Sequence, residues 1–490
     1  MKKFIMMLFG LCLYVISTCS SCRKFVDIEG PATSVSSKNI YNNDATAIGA
    51  VTSLYVNLGS ASLGGPGELS SLSCIAGLSS DELTLYNSSD DPTLSAYYKN
   101  ALTNSNNGFP DYWGMVYQRI AVVNAAIEGL NASMNLSPRV KQQLIGEVMF
   151  MRAFYNFYLV NLYGDVPLVL STDYSVNAII SKSSEVEVYR QIIQDLNQAI
   201  LLLSEKYLKG DGLTAYPSGS EERVRPTKWA AIALLARTYL YMKDWVNAEK
   251  QASIILSNTI EYQLQEAGKL EQVFLKNNKE AIWQLQPTKN GYNTMDANMF
   301  VLISGGPSGN NPVFLSSNLV NSFEMNDQRK SSWIGTTTAD GITYSFANKY
   351  KIIPTNINTP VKEYSTVMRL AEQFLIRAEA RAHQGNLSGA ISDVDHIRER
   401  AGLVLIKDIN ASITQIELIN AIMRERRFEL FTEWGHRWFD LKRTKKIDEV
   451  MSFVTPQKTG GAIWKGYQEY YPISQMELQR NPNLTPTPGY

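Results

Sequence analysis

The chain has 490 residues, a length that suits one large domain or two to three ordinary ones, and 44% of its residues are hydrophobic. Lys and Arg together number 46, as do Asp and Glu, so the formal net charge is zero. Because the chain has no basic surplus and no basic run, its composition argues against nucleic acid or an anionic membrane surface as a partner and suits a neutral ligand.

Residues 1–21 predict a lipoprotein signal peptide. Two lysines precede an apolar run at residues 4–16, which is too short to span a bilayer and leads into small residues and cysteine. Cleavage before such a cysteine leaves its thiol to carry a lipid, and Cys19 and Cys22 are both candidates. The polar residues 22–38 predict a lipid-anchored tether, and the cysteines left after cleavage are too few for a disulfide framework.

Helical periodicity predicts the scaffold of a single body at residues 39–490, because apolar residues recur there at spacings of three and four. Two predicted helix pairs carry alanines at equal separations, as in tetratricopeptide repeats, whose small residues let paired helices approach closely. The fold class is therefore all-α dominated: a tetratricopeptide-like scaffold with long irregular loop insertions and a little β. The helical blocks are 39–58, 112–258 and 367–443, and the alanine pairs are Ala236 with Ala248 and Ala378 with Ala390.

The stretch from Ile422 to Arg443 predicts one long amphipathic helix. On one of its faces Glu425, Glu429 and Glu433 follow one another every four residues. Such a ladder braces neighbouring helices by ion pairs, each worth about 0.3 to 0.5 kcal/mol where it is exposed.

Two blocks, residues 59–111 and 266–366, are rich in Gly, Ser, Asn and Asp and hold isolated aromatic residues. Long polar segments of this kind are uncommon in compact helical domains unless they have a function. In the second block, E-A-I-W-Q-L-Q predicts a strand, and W-I-G-T-T-T-A-D-G-I-T-Y-S-F predicts a hairpin that turns at Asp340-Gly341. The closing residues 444–490 are predicted to wrap the surface.

Five segments, in order along the chain, carry a resemblance to one family. They are C-R-K-F-V-D, W-G-M-V-Y-Q-R-I-A-V-V-N, F-M-R-A-F-Y-N-F-Y-L-V-N-L-Y-G-D-V-P, R-E-R-R-F-E-L-F-T-E-W-G-H-R-W-F-D-L-K-R and Y-Y-P-I-S-Q-M-E-L-Q-R-N-P-N-L-T-P-T-P-G-Y. Together they resemble the SusD/RagB family of outer-membrane nutrient-binding lipoproteins of Bacteroidetes. The first segment favours Cys22 as the lipidated residue, with Cys19 still open.

The resemblance implies a protein held at the outer membrane by its lipid and facing the cell exterior. It implies a SusC-like TonB-dependent transporter as partner and the capture of oligosaccharide for import without cleavage. In that family the ligand site is built from loop insertions on the helical scaffold, which points to the two irregular blocks here.

Carbohydrate binding needs an aromatic face that stacks on a sugar ring and polar side chains that hydrogen-bond its hydroxyls. Both irregular blocks supply this mixture, and the alternative for each residue is simple packing against the scaffold. The candidate ligand-binding residues are Asp81, Tyr86, Tyr97, Tyr98, Tyr292, Asn293, Trp333 and Tyr344.

The common catalytic signatures are absent from the sequence, and His383, His396 and His436 have no partner at metal-ligand spacing. Glycoside hydrolysis needs two carboxylates across a cleft. The loop carboxylates that qualify by type alone are Asp81, Glu82, Asp90 and Asp91. We predict a non-catalytic protein without cofactor or metal.

One alternative keeps the fold and changes the ligand. A tetratricopeptide scaffold can hold a peptide or protein on its concave face at the outer membrane. The position of the exposed aromatic residues separates the two hypotheses, because a sugar site places them in the loop blocks and a peptide site places them along inner helix faces.

Overall fold

The structure is a computed structural model. The predicted signal peptide, the tether, Cys19 and Cys22 lie outside the residues that it describes. Those residues are 40–59, 71–87, 91–106, 111–303, 305–309, 311–353, 356, 358–410 and 412–490.

Helices dominate the described residues, as the sequence predicts. In the first half they are α1 (Asp44–Leu58), α2 (Leu72–Ser79), α3 (Pro92–Tyr98), α4 (Tyr112–Ala132), α5 (Pro138–Tyr163), α6 (Tyr174–Asn177), α7 (Glu185–Leu202), α8 (Lys228–Tyr241) and α9 (Trp245–Leu256). In the second half they are α10 (Met295–Phe300), α11 (Ser317–Ser322), α12 (Gln328–Trp333), α13 (Leu370–His383), α14 (Leu387–Arg400), α15 (Ile406–Ile409), α16 (Gln415–Leu430), α17 (His436–Arg443), α18 (Ile447–Val454) and α19 (Gln475–Arg480). Short 3₁₀ turns occupy Leu270–Gln272, Thr455–Gln457 and Gly466–Glu469.

The core is centred on α5, whose second half is buried on nearly every side and packs against α1, α4 and α7. A helix that is apolar all round belongs inside a large domain. It ends at Tyr163 because Gly164 adopts φ +75°, a left-handed conformation that suits glycine. Helix α7 begins with a capping box, in which Ser184 and Glu187 satisfy each other's backbone N–H groups.

The two predicted helix pairs form. Helix α8 packs on α9, α13 packs on α14, and α9 packs on α13. The paired alanines are all fully buried, which is the close approach that the spacing predicts. The assignment of these pairs to tetratricopeptide repeats stays a prediction.

Within the described residues the strands form three two-stranded antiparallel sheets. The predicted strand and the predicted hairpin are both confirmed. The hairpin turns at Asp340 (φ +51°) and Gly341 (φ +77°), the two left-handed residues that a tight hairpin turn requires. The sheets pair β1 (Leu83–Leu85) with β3 (Val313–Leu315), β2 (Ala281–Leu285) with β6 (Ser365–Arg369), and β4 (Ile334–Ala339) with β5 (Ile342–Ala347).

The prediction of one long helix from Ile422 to Arg443 is wrong. Helix α16 ends at Leu430 and α17 begins at His436. Between them Thr432, Trp434 and Gly435 take φ values of +52°, +46° and +75°, which no right-handed helix contains. Periodicity missed the break because Trp434 is buried in the core, as it would be on the apolar face of a helix.

Glu425, Glu429 and Glu433 are buried, so the energy of an exposed ion pair does not apply to them. Glu429 is fully buried and forms ion pairs with Arg329, Arg369 and Arg400. Burial alone would raise the pKa of Glu429, but the guanidinium groups of Arg400, Arg369 and Arg329 outweigh it and hold the pKa well below its usual range. Removing one member of such a network leaves uncompensated buried charge, so these residues constrain the fold far more than surface pairs do.

The irregular blocks contain more regular structure than the sequence indicates. In the first block all eight residues of α2 are buried, because its Ser, Gly and Ala side chains are small enough to pack deep in the body. The closing segment also has helices, α18 and α19. Two hydrogen bonds join it to the body: Tyr471 N–H donates to the Leu162 carbonyl and Gln475 N–H to the Asn104 carbonyl, each at 2.8 Å.

Candidate functional site

The two irregular blocks meet in one small sheet. Strand β1 comes from the first block and β3 from the second, and Thr84 lies directly opposite Phe314. The leucines of β1 point into the core, whereas Thr84 and Phe314 are only half-buried. Strand β5 of the neighbouring hairpin packs against β3, so three segments from the two blocks share one surface.

Three half-buried rings lie together there, Tyr86, Phe314 and Tyr344, and we name them the aromatic patch. The centroid of the Tyr344 ring lies 6.2 Å from that of Tyr86 and 5.1 Å from that of Phe314. Both contacts are edge-to-face, with interplanar angles of 88° and 81°. Rings set at right angles present apolar surface in more than one direction.

Local packing holds the Tyr344 ring in place. Gly306 takes φ +77°, and a Cβ atom there would lie 2.8 Å from the Ala339 Cβ and 3.5 Å from the Tyr344 ring. The backbone of residues 305–309 therefore passes close to the ring at a point where only glycine fits.

The sequence predicted two members of the patch, Tyr86 and Tyr344, and missed Phe314. Phe314 lies between two segments rich in Ser, Asn and Pro, where the strand of three residues is too short to show alternation. The pairing with β1, which brings positions 84 and 314 together, is a long-range contact that one sequence does not display.

Asp81 is 4% exposed and faces arginines. Its carboxylate accepts hydrogen bonds from Arg437 Nε at 2.8 Å and from an Arg427 terminal nitrogen at 2.8 Å. Burial would raise the pKa of Asp81, but Arg437 and Arg427 outweigh it and hold the pKa well below its usual range. The neighbouring Glu82 forms no ion pair with any described residue, and burial, and then the charge of Asp81, raise its pKa to about 7.

Trp333 is fully buried. Its indole Nε1 donates to the Leu270 carbonyl at 2.9 Å, and the Lys349 ammonium lies 4.9 Å from its ring centroid. The ring has no exposed face in this conformation, so we leave Trp333 out of the proposed sugar surface.

Tyr97 and Tyr98, on α3, are also buried. Tyr97 packs edge-to-face on Tyr471 at 5.3 Å between centroids, and the Lys458 ammonium lies 5.2 Å from the Tyr98 ring centroid. Both side chains dock the closing segment on α3, and we leave them out of the proposed surface as well.

Tyr292 and Asn293 line a cavity of about 270 Å³ beside the end of β2. Asn293 is buried and pins its loop, because its amide oxygen accepts from the backbone N–H groups of Lys362 and Glu363 at 2.6 and 3.0 Å. Tyr292 is half-buried, with the Lys289 ammonium 4.2 Å from its ring centroid.

The same cavity holds Asp296, which the sequence analysis missed. Burial raises the pKa of its carboxyl to about 7, although Ser365 Oγ donates to it at 3.0 Å. A carboxyl, an amide and hydroxyl groups around a space of this size suit one polar ligand unit.

The remaining titratable candidates have structural partners. His383 stacks on Trp245 with centroids 4.0 Å apart, and burial lowers the pKa of His436 well below its usual value, so that side chain stays neutral. Asp91 caps α3 by accepting from Thr93 and Leu94 N–H at 2.9 Å. Asp90 lies outside the described residues.

Comparison with known proteins defines the class. One family model, described as the SusD family, matches residues 342–490, and a second, described as starch-binding associating with outer membrane, matches residues 75–240. The first match contains the break between α16 and α17, and the second contains β1 and α5. Over both of these ranges the chain is similar to the SusD/RagB family.

Individual relatives agree with this assignment. The SusD-like protein P2 of Formosa agariphila is 29% identical over 77% of this chain and 80% of its own length. A crystal structure of a SusD-like protein from Bacteroides fragilis has a TM-score of 0.75 at 24% identity, covering 92% of this chain and 98% of that one. A laminarin binding SusD-like protein has a TM-score of 0.73 at 24% identity, covering 92% and 100%. At these identities the solved structures establish the shared fold.

Proposed function

We propose that the protein captures oligosaccharide at the cell surface on the aromatic patch and passes it to a SusC-like TonB-dependent transporter without cleaving it. The patch is the observation that carries the proposal. Three half-buried rings from both loop blocks converge on one surface of a helical scaffold. Stacking on the apolar face of a sugar ring needs no charge on either partner, which agrees with the zero net charge of the chain.

The comparisons support a saccharide as ligand class. One matching family model is described as starch-binding, and a neighbour of the same fold is described as laminarin binding. Neither name identifies the sugar for this chain, because the patch residues lie on loops and a short hairpin whose side chains can vary on one scaffold.

Membrane attachment in this proposal rests on the lipid at Cys22. Within the described part of the chain, no helix combines the length and apolar character needed to cross a membrane. Several acyl chains on one cysteine anchor a protein firmly, whereas a single chain holds it only marginally. The outer-membrane position, the outward orientation and the transporter partner follow from the family resemblance.

The alternative, a peptide held on the inner helix faces, has less support. The three clustered half-exposed rings belong to the loop blocks, where a sugar site is expected to place them.

A binding screen tests the proposal. Full-length protein in detergent is run on affinity gels and titrated calorimetrically against a panel of polysaccharides and oligosaccharides, with a parallel assay for new reducing ends. We expect saturable binding of at least one saccharide and no release of reducing ends. If no saccharide in the panel bound and peptides did, the peptide-binding alternative would be favoured.

Substitutions at the patch locate the site. Tyr86→Ala and Tyr344→Ala should each weaken binding by about 1 to 3 kcal/mol, the range measured for loss of one aromatic stack on a planar ligand. Tyr174→Ala is the matched control, because Tyr174 is 82% exposed and lies on α6 outside the patch. Equal affinities for all three variants and the unchanged protein would remove the patch from the site.

A further inference from the structure

Asp81 and Glu82 lead into the β1–β3 sheet, which contains Phe314 and is followed directly by Tyr86. The Asp81 carbonyl oxygen accepts from Ser316 Oγ at 2.6 Å, and the Glu82 carbonyl oxygen accepts from Ser316 N–H at 2.8 Å. At the other end, Tyr86 N–H donates to the Pro312 carbonyl at 2.7 Å. The position of the rings relative to the scaffold therefore depends on what holds the Asp81 end.

That end is held by two arginines, which with Asp81 we name the arginine clamp. Arg437 donates from Nε and a terminal nitrogen to the two Asp81 carboxylate oxygens at 2.8 and 3.0 Å. Arg427 donates to Asp81 at 2.8 Å and to Asn318 Oδ1 at 2.6 Å. Because Asn318 follows β3, Arg427 contacts the flanks of both strands. Paired charges with this geometry form the strongest hydrogen bonds in proteins.

The break between α16 and α17 makes the clamp possible. Arg427 is in the last turn of α16 and Arg437 in the first turn of α17. In one continuous helix these positions would be about 15 Å apart along the axis, at 1.5 Å per residue, and could not grip one carboxylate. The break is fixed to the same segment, since Thr432 N–H donates to the Glu82 carboxylate at 3.3 Å and Trp434 N–H to Ser73 Oγ at 3.0 Å.

The backbone conformation of Thr432 is independent evidence that tertiary contacts fix the break between α16 and α17. It is β-branched and takes φ +52°, a conformation that such residues rarely adopt without compensation. Strained backbone of this kind persists only where the surrounding contacts over-determine it. Here those contacts are the ones that join the break to the residues preceding β1.

We propose that Asp81 is a positioning residue for saccharide capture: gripped by Arg427 and Arg437, it fixes the β1–β3 sheet, and with it Tyr86 and Phe314, against the helical scaffold. The inference rests on the proposed function of the patch. Rings that are already held in their binding arrangement lose less conformational freedom when ligand arrives, so loosening the sheet costs affinity.

The test compares two isosteric substitutions in the full-length protein. Asp81→Asn weakens the clamp, and Asp195→Asn is the matched control. Asp195 is equally buried and is held by Arg152 at 2.7 and 2.8 Å, but it joins α7 to α5 away from the patch. Both variants should lower the thermal midpoint. Only Asp81→Asn should weaken binding of the saccharide returned by the screen, by about tenfold, the lower end of the loss seen when the hydrogen-bond partner of a metal ligand is removed.

Hydrogen exchange gives a readout that needs no ligand. In Asp81→Asn the amides of residues 83–86 should exchange faster, and in Asp195→Asn they should not. If Asp81→Asn does not fold, Arg427→Gln serves in its place, because it keeps the Arg437 pair.

Two results would overturn the inference: unchanged exchange and affinity in Asp81→Asn, or equal affinity losses in both variants. Failure of the proposed function looks different. In that case Tyr344→Ala also binds every saccharide like the unchanged protein, or no saccharide binds at all.

Discussion

Replacing Trp333 by alanine separates a core role from a ligand role for the aromatic residue that the sequence placed among its candidates. The side chain is fully buried, so its removal should cost about 3–5 kcal/mol of unfolding free energy. The Leu270 carbonyl, which accepts from the indole at 2.9 Å, would lose its partner and add about 1 kcal/mol. Lys349 would lose the ring beneath its ammonium, 4.9 Å from the centroid, which adds to the loss.

Urea unfolding followed by circular dichroism measures this cost, with saccharide affinity determined at low urea in the same preparations. Trp245→Ala is the comparison variant, because Trp245 is only half-buried and stacks on His383. It should lose less than Trp333→Ala because only part of its ring is buried, and the pair with His383 contributes about 1 kcal/mol of that loss. If Trp333→Ala lost less than about 1 kcal/mol of unfolding free energy and no longer bound saccharide, the Trp333 ring would have to contact the ligand. A core role for this ring would then be wrong.

Two further predictions concern pH and attachment. Burial raises the pKa of Glu82 to about 7 in the folded state, whereas its carboxyl in the unfolded chain titrates near pH 4.5. The free energy of unfolding therefore falls as pH rises from the lower of these values to the higher. Glu82→Gln should therefore unfold at higher urea than the unchanged protein at pH 8 and match it at pH 4; equal midpoints at both pH values would contradict the assignment. Cys22→Ala should release the protein from the membrane fraction, and palmitate labelling that persists in this variant would place the lipid on Cys19.

The sequence was informative wherever neighbouring residues decide the structure. The helix pairs around Ala236 and Ala378 and the hairpin at Asp340-Gly341 depend on local spacing or on backbone conformations that few residues adopt, and all of them form. The break at residues 431–435 depends on partners far along the chain, such as Ser73, which a periodic pattern cannot show.

The candidate ligand-binding residues show the same contrast between local sequence information and long-range contacts. Residue type identified Tyr86 and Tyr344 as aromatic residues in loop blocks, and they do lie together. The same criterion selected Trp333 and Tyr97, which are buried, because a large ring serves equally well in a core and on a sugar surface. Phe314 is identified only by the pairing of β1 with β3. Composition therefore indicates which aromatic residues are candidates, and tertiary contacts determine which of their rings are exposed to solvent.

The stretch of sequence that most clearly resembles the family, residues 424–443, stabilises the fold through ion pairs. Several of its charged residues, among them Glu429 and Arg437, form ion pairs inside the protein, and Arg427 and Arg437 hold Asp81, which leads into the β1–β3 sheet. The segments that resemble the family therefore support the proposed ligand surface without forming it. They leave the chemistry of that surface to residues such as Tyr86 and Tyr344, which rest on the scaffold without being part of its ion-pair network. On the proposed function, this division lets one helical framework serve different ligands, and substitutions at the loop rings are the test of which saccharide binds.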